Sequence, residues 1–367
     1  MQDQDNWHGK PLSKEEAARA IAELQPSSRS GLGVPIPSPS SLPAPANAAP
    51  AAYPPLTYKL GELIATREAY GTALVRLGEV DLRIVAVDGD TKNSTYAEKF
   101  FKKFPERSTE CFIAEQNMVA VATGFGTRGK SPFASTFATF FTRAYDQIRV
   151  AGISSANLKL VGSHVGVSIG EDGPSQMALE DIAMMRAVAG SVVLYPSDAV
   201  SAEKLLEQMA IHRGLQFLRT SRPKTPVIYG NDEAFPFGGA KVLKQAAGDK
   251  ITVVSAGVTL FEALKAADLL KADGITITVI DAYSIKPLGR DIILAAAKKT
   301  GGTVLTVEDH YPEGGLGDAV AGELSGDGIK VHKLAVTSLP RSGKAAELLA
   351  FYGLDAAGIV KKVKALV

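Results

Sequence analysis

Short apolar runs alternate with longer stretches of helical period over most of the chain, and the runs end in polar clusters. Between residues 58 and 232 the pattern predicts a helix over Thr66 to Leu77 and an apolar strand over Arg83 to Val87, followed by a polar loop, Asp88 to Thr95. A second strand over Leu158 to Val161 leads into the glycine-rich loop Gly170 to Gln176, a helix from Ala178, and strands over Ser191 to Tyr195 and Gln216 to Leu218. Between residues 233 and 367 the alternation resumes. Strands are expected over Ile251 to Ser255, Ile275 to Ile280, Gly302 to Val307 and Val331 to Ala335, with helices over Phe261 to Lys271 and Arg290 to Lys299. The expected fold class is α/β, built as two doubly wound βα domains with polar residues at strand ends.

The first 57 residues read differently. Residues 1–25 form a short piece in which Ser13 and Glu16 make a capping-box pattern ahead of Ala17, Ala20, Ile21 and Leu24. Residues 26–57 hold nine of the twenty prolines, mixed with Ser, Ala and Gly, which is a linker composition.

One stretch carries most of the chemistry. Cys111 to Ala114 reads as the end of a buried strand and Gln116 to Gly124 as a helix, which puts Glu115 at a strand-to-helix junction among Phe112, Ile113, Met118 and Val119. Such junctions are where open α/β sheets place ligands, and an acid there is poorly solvated. On the residues alone, a helix N-terminal Glu complementing the dipole is an equal reading. Downstream, Phe133, Phe137, Phe140 and Phe141 recur at spacings of 3 and 4, which predicts rings on one side of a helix. Core packing is the ordinary role of such a stripe. Here it is interleaved with Ser135, Thr136, Thr139 and Thr142, so a flat apolar platform beside an acid, suited to a planar heterocycle, also fits.

Composition narrows the class. A net charge of +1 with interspersed Lys and Arg excludes a nucleic-acid footprint. A single cysteine, Cys111, excludes an internal disulfide and fits a reducing compartment. Neither a signal peptide nor an apolar run of about 20 residues is present, so cytoplasm is the expected location and no membrane partner is expected.

The phrases IAEQNM and STFATFFTRAYDQIR resemble the pyrimidine-binding domain of transketolases, and the resemblance extends over nearly the whole chain, in the animal-type pattern. It implies a pyrimidine-binding fold over 58–232 and a transketolase C-terminal domain over 233–367, with residues 1–25 a remnant of the diphosphate-binding domain. The implied cofactor is thiamine diphosphate with Mg2+ or Ca2+. By the resemblance, Glu115 bonds N1' of the aminopyrimidine and promotes the tautomer that activates the thiazolium. Phe140 stacks on that ring beside Phe137, and Gln176 is a cofactor-side contact. His8, in NWHGKPL, matches a histidine that reaches both diphosphate and substrate; a solvated terminal residue is its other reading. Arg67, Ser94, His164, Asp172 and Arg222 match positions that hold the sugar phosphate. His212, His310 and His332 are expected to be surface or structural. The resemblance implies sugar-phosphate substrates and a homodimer.

The metal site is not legible in the chain, and no metal ligand is assigned. Gly326-Asp327-Gly328 has no later asparagine, and Gly89-Asp90-Thr91 lacks the second glycine of the metal motif. The expectation is therefore a transketolase component that needs a partner bearing the diphosphate site. Alternatives are a deoxyxylulose phosphate synthase, the β subunit of a 2-oxoacid dehydrogenase, or a non-catalytic module that pairs with a full-length relative.

Overall fold

The computed structural model describes residues 12–24 and 52–367. The chain divides into two compact units, residues 1–44 and 45–367. Of the first, the helix Lys14–Glu23 is described, and its start matches the sequence reading. The Ser13 hydroxyl accepts from the Glu16 amide at 3.1 Å while the Ser13 amide donates to Glu16 Oε2 at 2.8 Å. His8 and most of the proline-rich stretch lie outside the described residues.

The second unit contains two principal sheets. The larger runs in the order Ser284–Lys286, Val192–Leu194, Leu215–Arg219, Leu158–Ser163, Ser131–Phe137, Ile84–Asp88, Ser108–Glu110. All its pairings are parallel except that of Ser284–Lys286, which enters antiparallel from the second half of the sequence. The smaller runs Lys330–Leu334, Thr303–Val307, Thr252–Ser255, Thr278–Asp281, Lys241–Lys244, and only the last pairs antiparallel. Helices such as Thr66–Val80, Glu115–Thr127, Ala199–Ile211 and Val258–Ala272 cover the sheets. Both doubly wound sheets expected from the alternation are present.

The aromatic stripe corrects one expectation. Phe133 and Phe137 lie in the strand Ser131–Phe137, while Phe140 and Phe141 lie in a following run of 3-10 turns, Ala138–Ala144. A spacing of 4 puts side chains on one face of a strand as well as of a helix, so Phe133 and Phe137 could not distinguish the two. All seven strand residues are buried, because helices cover both faces of a central parallel strand. The stretch before Glu115 also differs. Its strand is Ser108–Glu110, and Phe112 and Ile113 are exposed at 68% and 69% instead of buried.

Residues 52–57 are tied down at the edge of this unit. Leu56 is buried, the Pro54 carbonyl accepts from Arg76 at 2.6 Å, and Tyr53 donates to Asp81 at 3.4 Å. Between the two sheets lies a polar seam with no solvent exposure. Arg219 donates to Asp181 and to Asp309 at 2.8 Å each, and its guanidinium stacks 4.5 Å from the Tyr195 ring centroid. His310 is buried there, and burial takes its pKa down to about 4, so it is a neutral structural histidine.

Candidate functional site

The larger sheet reverses its winding between Ile84–Asp88 and Ser131–Phe137, because the chain goes first to the Ser108–Glu110 edge and then back to the other side. The carboxyl ends of those two strands flank the crevice where doubly wound sheets bind ligands. Asp88 ends one of them. It accepts from Ser135 Oγ at 2.8 Å, Thr95 Oγ1 at 3.0 Å and the Thr91 amide at 2.7 Å, which pins the 89–97 loop to the neighbouring strand. Burial pushes its carboxyl up to about 6 against those bonds. Glu110 holds the same loop from the edge, accepting from the amides of Asp90 and Phe112 at 2.9 Å each and pairing with Lys92. A Cβ on Gly71 would overlap the Tyr96 backbone, so a glycine is what lets the Thr66–Val80 helix seat against the end of this loop.

Glu115 is the first residue of the helix Glu115–Thr127 and is 4% exposed. Its carboxylate meets Arg143 Nη1 at 2.8 Å, from a side chain that is itself 55% exposed. In the same 3-10 run as Arg143, half-buried Phe140 stacks on Phe137 at 5.1 Å with an interplanar angle of 10°. Phe137 continues the stack onto His164, with centroids 3.7 Å apart.

His164 joins this apolar platform to a cationic end. Arg67 Nη1 lies 2.9 Å from the Ser94 carbonyl and 3.2 Å from His164 Nε2, while His164 Nδ1 lies 2.9 Å from Ser163 Oγ. A guanidinium only donates, so Nε2 accepts and the ring proton sits on Nδ1, facing Ser163. Burial, with Arg67 and Arg222 facing it, takes the His164 pKa down to about 3, and the ring stays neutral. Arg222 donates to the Ile169 carbonyl at 2.8 Å and pairs with Asp172 at 3.0 Å, both partners being about one-third exposed.

A small ribbon brings these distant stretches together. Leu63–Ala65 pairs antiparallel with Lys224–Pro226, and Thr66 Oγ1 accepts from the Ser221 amide at 2.8 Å. Arg67 and Arg222 therefore leave the ribbon side by side. Phe140, Phe137, His164, Arg67 and the Ser94 backbone thus form one run of contacts, with Arg222 and Asp172 beside Arg67, and Glu115 joins the 3-10 turns that carry Phe140 through Arg143. Gln176 is half-buried, and its amide donates to the Gly173 carbonyl at 3.1 Å at the foot of the same glycine-rich loop. Sequence reasoning did not assign Arg143. Its signal, an arginine three residues after a phenyl ring in an otherwise polar run, is too common to stand out.

The donor set fits one end of thiamine diphosphate and not the other. A buried carboxylate beside stacked rings suits a pyrimidine. Among the described residues no group of three or more His, Cys, Asp or Glu side chains converges to hold a metal ion, and a hard divalent cation carrying a diphosphate needs such oxygen ligands.

A two-sheet α/β chain with a crevice at the switch point of its larger sheet, holding a buried carboxylate and a stacked pair of phenyl rings, is the class defined by fold and site. Residues 62–227 match the family model "Transketolase, pyrimidine binding domain" and residues 238–359 match "Transketolase, C-terminal domain". The chain is 53% identical to transketolase of Mus musculus over 370 residues, which covers all of this chain and 59% of that protein. It is 52% identical to transketolase-like protein 2 of Mus musculus over 369 residues, covering 99% of this chain and 58% of that one. A solved structure described as "Split gene transketolase, inactive beta4 tetramer" superposes with a TM-score of 0.76 at 40% identity, covering 82% of this chain and 97% of that one. The chain belongs to the transketolase family. It spans a little under three-fifths of the length of these mouse relatives.

Proposed function

We propose that the chain is the pyrimidine-binding and C-terminal portion of a transketolase, transferring a two-carbon ketol unit between sugar phosphates. The observation that carries this reading is the buried Glu115 at the carboxyl-end crevice, flanked by the Phe137–Phe140 stack and continuous through His164 with Arg67 and Arg222. When bound, thiamine diphosphate supplies the carbon centre that accepts and releases the ketol group. In this reading Glu115 holds a proton at N1' of the pyrimidine, Phe140 seats the ring, and Phe137 and Gln176 line the cofactor side. Arg67 and Arg222 hold the substrate phosphate with Ser94, because guanidinium forks match phosphate oxygens. His164 and Asp172 face the sugar hydroxyls.

Arg143 gives Glu115 a cationic partner in the isolated chain, and its side chain, 55% exposed, has solvent to turn into when the pyrimidine enters. The diphosphate and its magnesium are held by residues outside those described here, on another subunit or another stretch of polypeptide. The pentose phosphate setting, the cytoplasm and a dimeric assembly go with this reading. The relative described as an inactive β4 tetramer supports the need for a partner, since this chain covers nearly all of it.

The test is turnover of xylulose 5-phosphate with ribose 5-phosphate by the purified chain, alone and mixed with a polypeptide carrying a transketolase diphosphate-binding domain. Activity only in the mixture is expected; activity of the chain alone removes the partner requirement. Pyruvate replacing the ketose as donor identifies a deoxyxylulose phosphate synthase or oxoacid dehydrogenase instead. A second reading, a non-catalytic module that modulates assembly of a full-length relative, is favoured by the Glu115–Arg143 pair and by the lack of a metal cluster among the described residues. It requires that the mixture stay inactive while the chain still alters the relative's oligomeric state.

A further inference from the structure

At the opposite end of the larger sheet, a cavity of about 220 Å³ opens where the strands begin and the helices Glu115–Thr127 and Ala199–Ile211 end. Its walls include Arg83, Lys130 and Arg213, with Asn157 and Ser131 between them and no carboxylate. Beneath this lining sits Lys159, with no solvent exposure. Its ammonium donates to Asn157 Oδ1 at 2.5 Å and to the His212 carbonyl at 2.7 Å, so its hydrogen bonds are satisfied but its charge is not neutralised. Burial, with Arg213 and Arg83 nearby, takes its pKa down to about 7. The cations repel one another.

The local charge does not close without a ligand. Arg83 is matched by Asp81, which accepts from its Nε at 2.9 Å and its Nη2 at 2.7 Å. Among the described residues Lys130 donates to the Leu82 carbonyl at 3.2 Å, and neither it nor exposed Arg213 is paired with an acid. The two helix C-termini contribute roughly half a negative charge each. Lys130 and Arg213 then leave an excess of about one positive charge around a hollow large enough for a small molecule, and Lys159, with its pKa at about 7, adds roughly half of another.

We propose that this cavity binds a small phosphate monoester, its anion held by Arg213 and Lys130, while Asn157 Nδ2 and Ser131 Oγ brace the wall by donating to the Lys130 carbonyl at 2.9 Å and the Ala210 carbonyl at 3.4 Å. A phosphate carries the matching charge and accepts from several directions at once, as converging Lys and Arg donors require. The site lies at the amino ends of the strands, away from the Glu115 crevice at their carboxyl ends, and does not depend on the reading given above.

Isothermal titration of the full chain with inorganic phosphate, against potassium chloride at matched ionic strength, tests it. Arg67→Ala/Arg222→Ala removes the other cationic cluster, and saturable phosphate binding is expected to remain in that variant. Adding Arg213→Ala/Lys130→Ala is expected to weaken the remaining binding tenfold or more, with circular dichroism and thermal midpoint in chloride unchanged. The proposal is overturned if Arg67→Ala/Arg222→Ala abolishes all phosphate binding, if chloride reproduces the heats, or if Arg213→Ala/Lys130→Ala has no effect. Arg213→Ala alone, at an exposed side chain, is the control for folding and should weaken binding by itself.

Discussion

The two sheets each have a point where the winding reverses, and they use it in opposite ways. In the larger sheet the crevice between Ile84–Asp88 and Ser131–Phe137 presents Glu115, Phe140 and Arg143. In the smaller, between Thr252–Ser255 and Thr303–Val307, the crevice is filled. Tyr195, projecting from the end of the larger sheet's strand Val192–Leu194, packs so closely on Gly257 that a Cβ there would overlap its ring. Its hydroxyl donates to Asp309 Oδ2 at 3.0 Å, and Arg219 closes the gap from behind. A ligand-binding topology has become a socket between the two halves. Topology alone therefore does not make a site; what enters the crevice decides.

The largest contrast should come from Glu115. In the reconstituted complex, Glu115→Ala is expected to lower kcat by about 10²–10⁴, the usual range for a lost proton-transfer group, with unchanged circular dichroism. A loss of less than tenfold would mean that the open crevice is not the reacting one. At the filled crevice the same kind of truncation should act on stability. Arg219→Met leaves Asp181 and Asp309 buried without their cation, and urea denaturation is expected to show a loss of about 3–5 kcal/mol.

Smaller effects sharpen the comparison. Arg222→Ala should raise KM for ribose 5-phosphate about 10–100-fold, matching a charged hydrogen bond of about 1.5–3 kcal/mol. It should affect an unphosphorylated acceptor much less, and an equal effect on both would remove the phosphate role. Tyr195→Phe keeps the ring in its socket and loses one hydrogen bond, so thermal unfolding should register about 1 kcal/mol.

The gentlest probe is pH. Burial raises the Asp281 carboxyl from 3.8 to about 7, although it accepts from Tyr229 at 2.7 Å and Ser197 at 2.9 Å. A raised folded-state pKa means that its protonated form is favoured in the fold. The stability it contributes is complete below about pH 4 and declines as pH rises through 7. Asp281→Asn should flatten the thermal-midpoint profile across that interval, whereas a parallel profile would assign the slope to other groups.

The family was legible because Glu115, Arg67, His164, Asp172 and Arg222 each sit in a phrase long enough to identify; that the fold gathers them at the element ends of one sheet was not. The central strand Ser131–Phe137 was not, since burial on both faces removes the alternation that marks a strand. The exposed Phe112 and Ile113 were misread for a related reason: apolar side chains at 112 and 113 say nothing about what covers them. Arg143 and Glu115 are separated by a whole strand in sequence, so their pairing appears only once the 3-10 turns fold back over the helix start.

By itself the sequence determined the alternation of elements, the two βα halves and the family. These are written locally, in periodicity and in motifs. The tertiary structure decided which crevice stays open, that Ser284–Lys286 crosses over to edge the first sheet, and that unneutralised cations gather at its far end. Those outcomes depend on contacts between residues tens to hundreds of positions apart, where burial and charge are shared quantities that no single stretch of chain specifies.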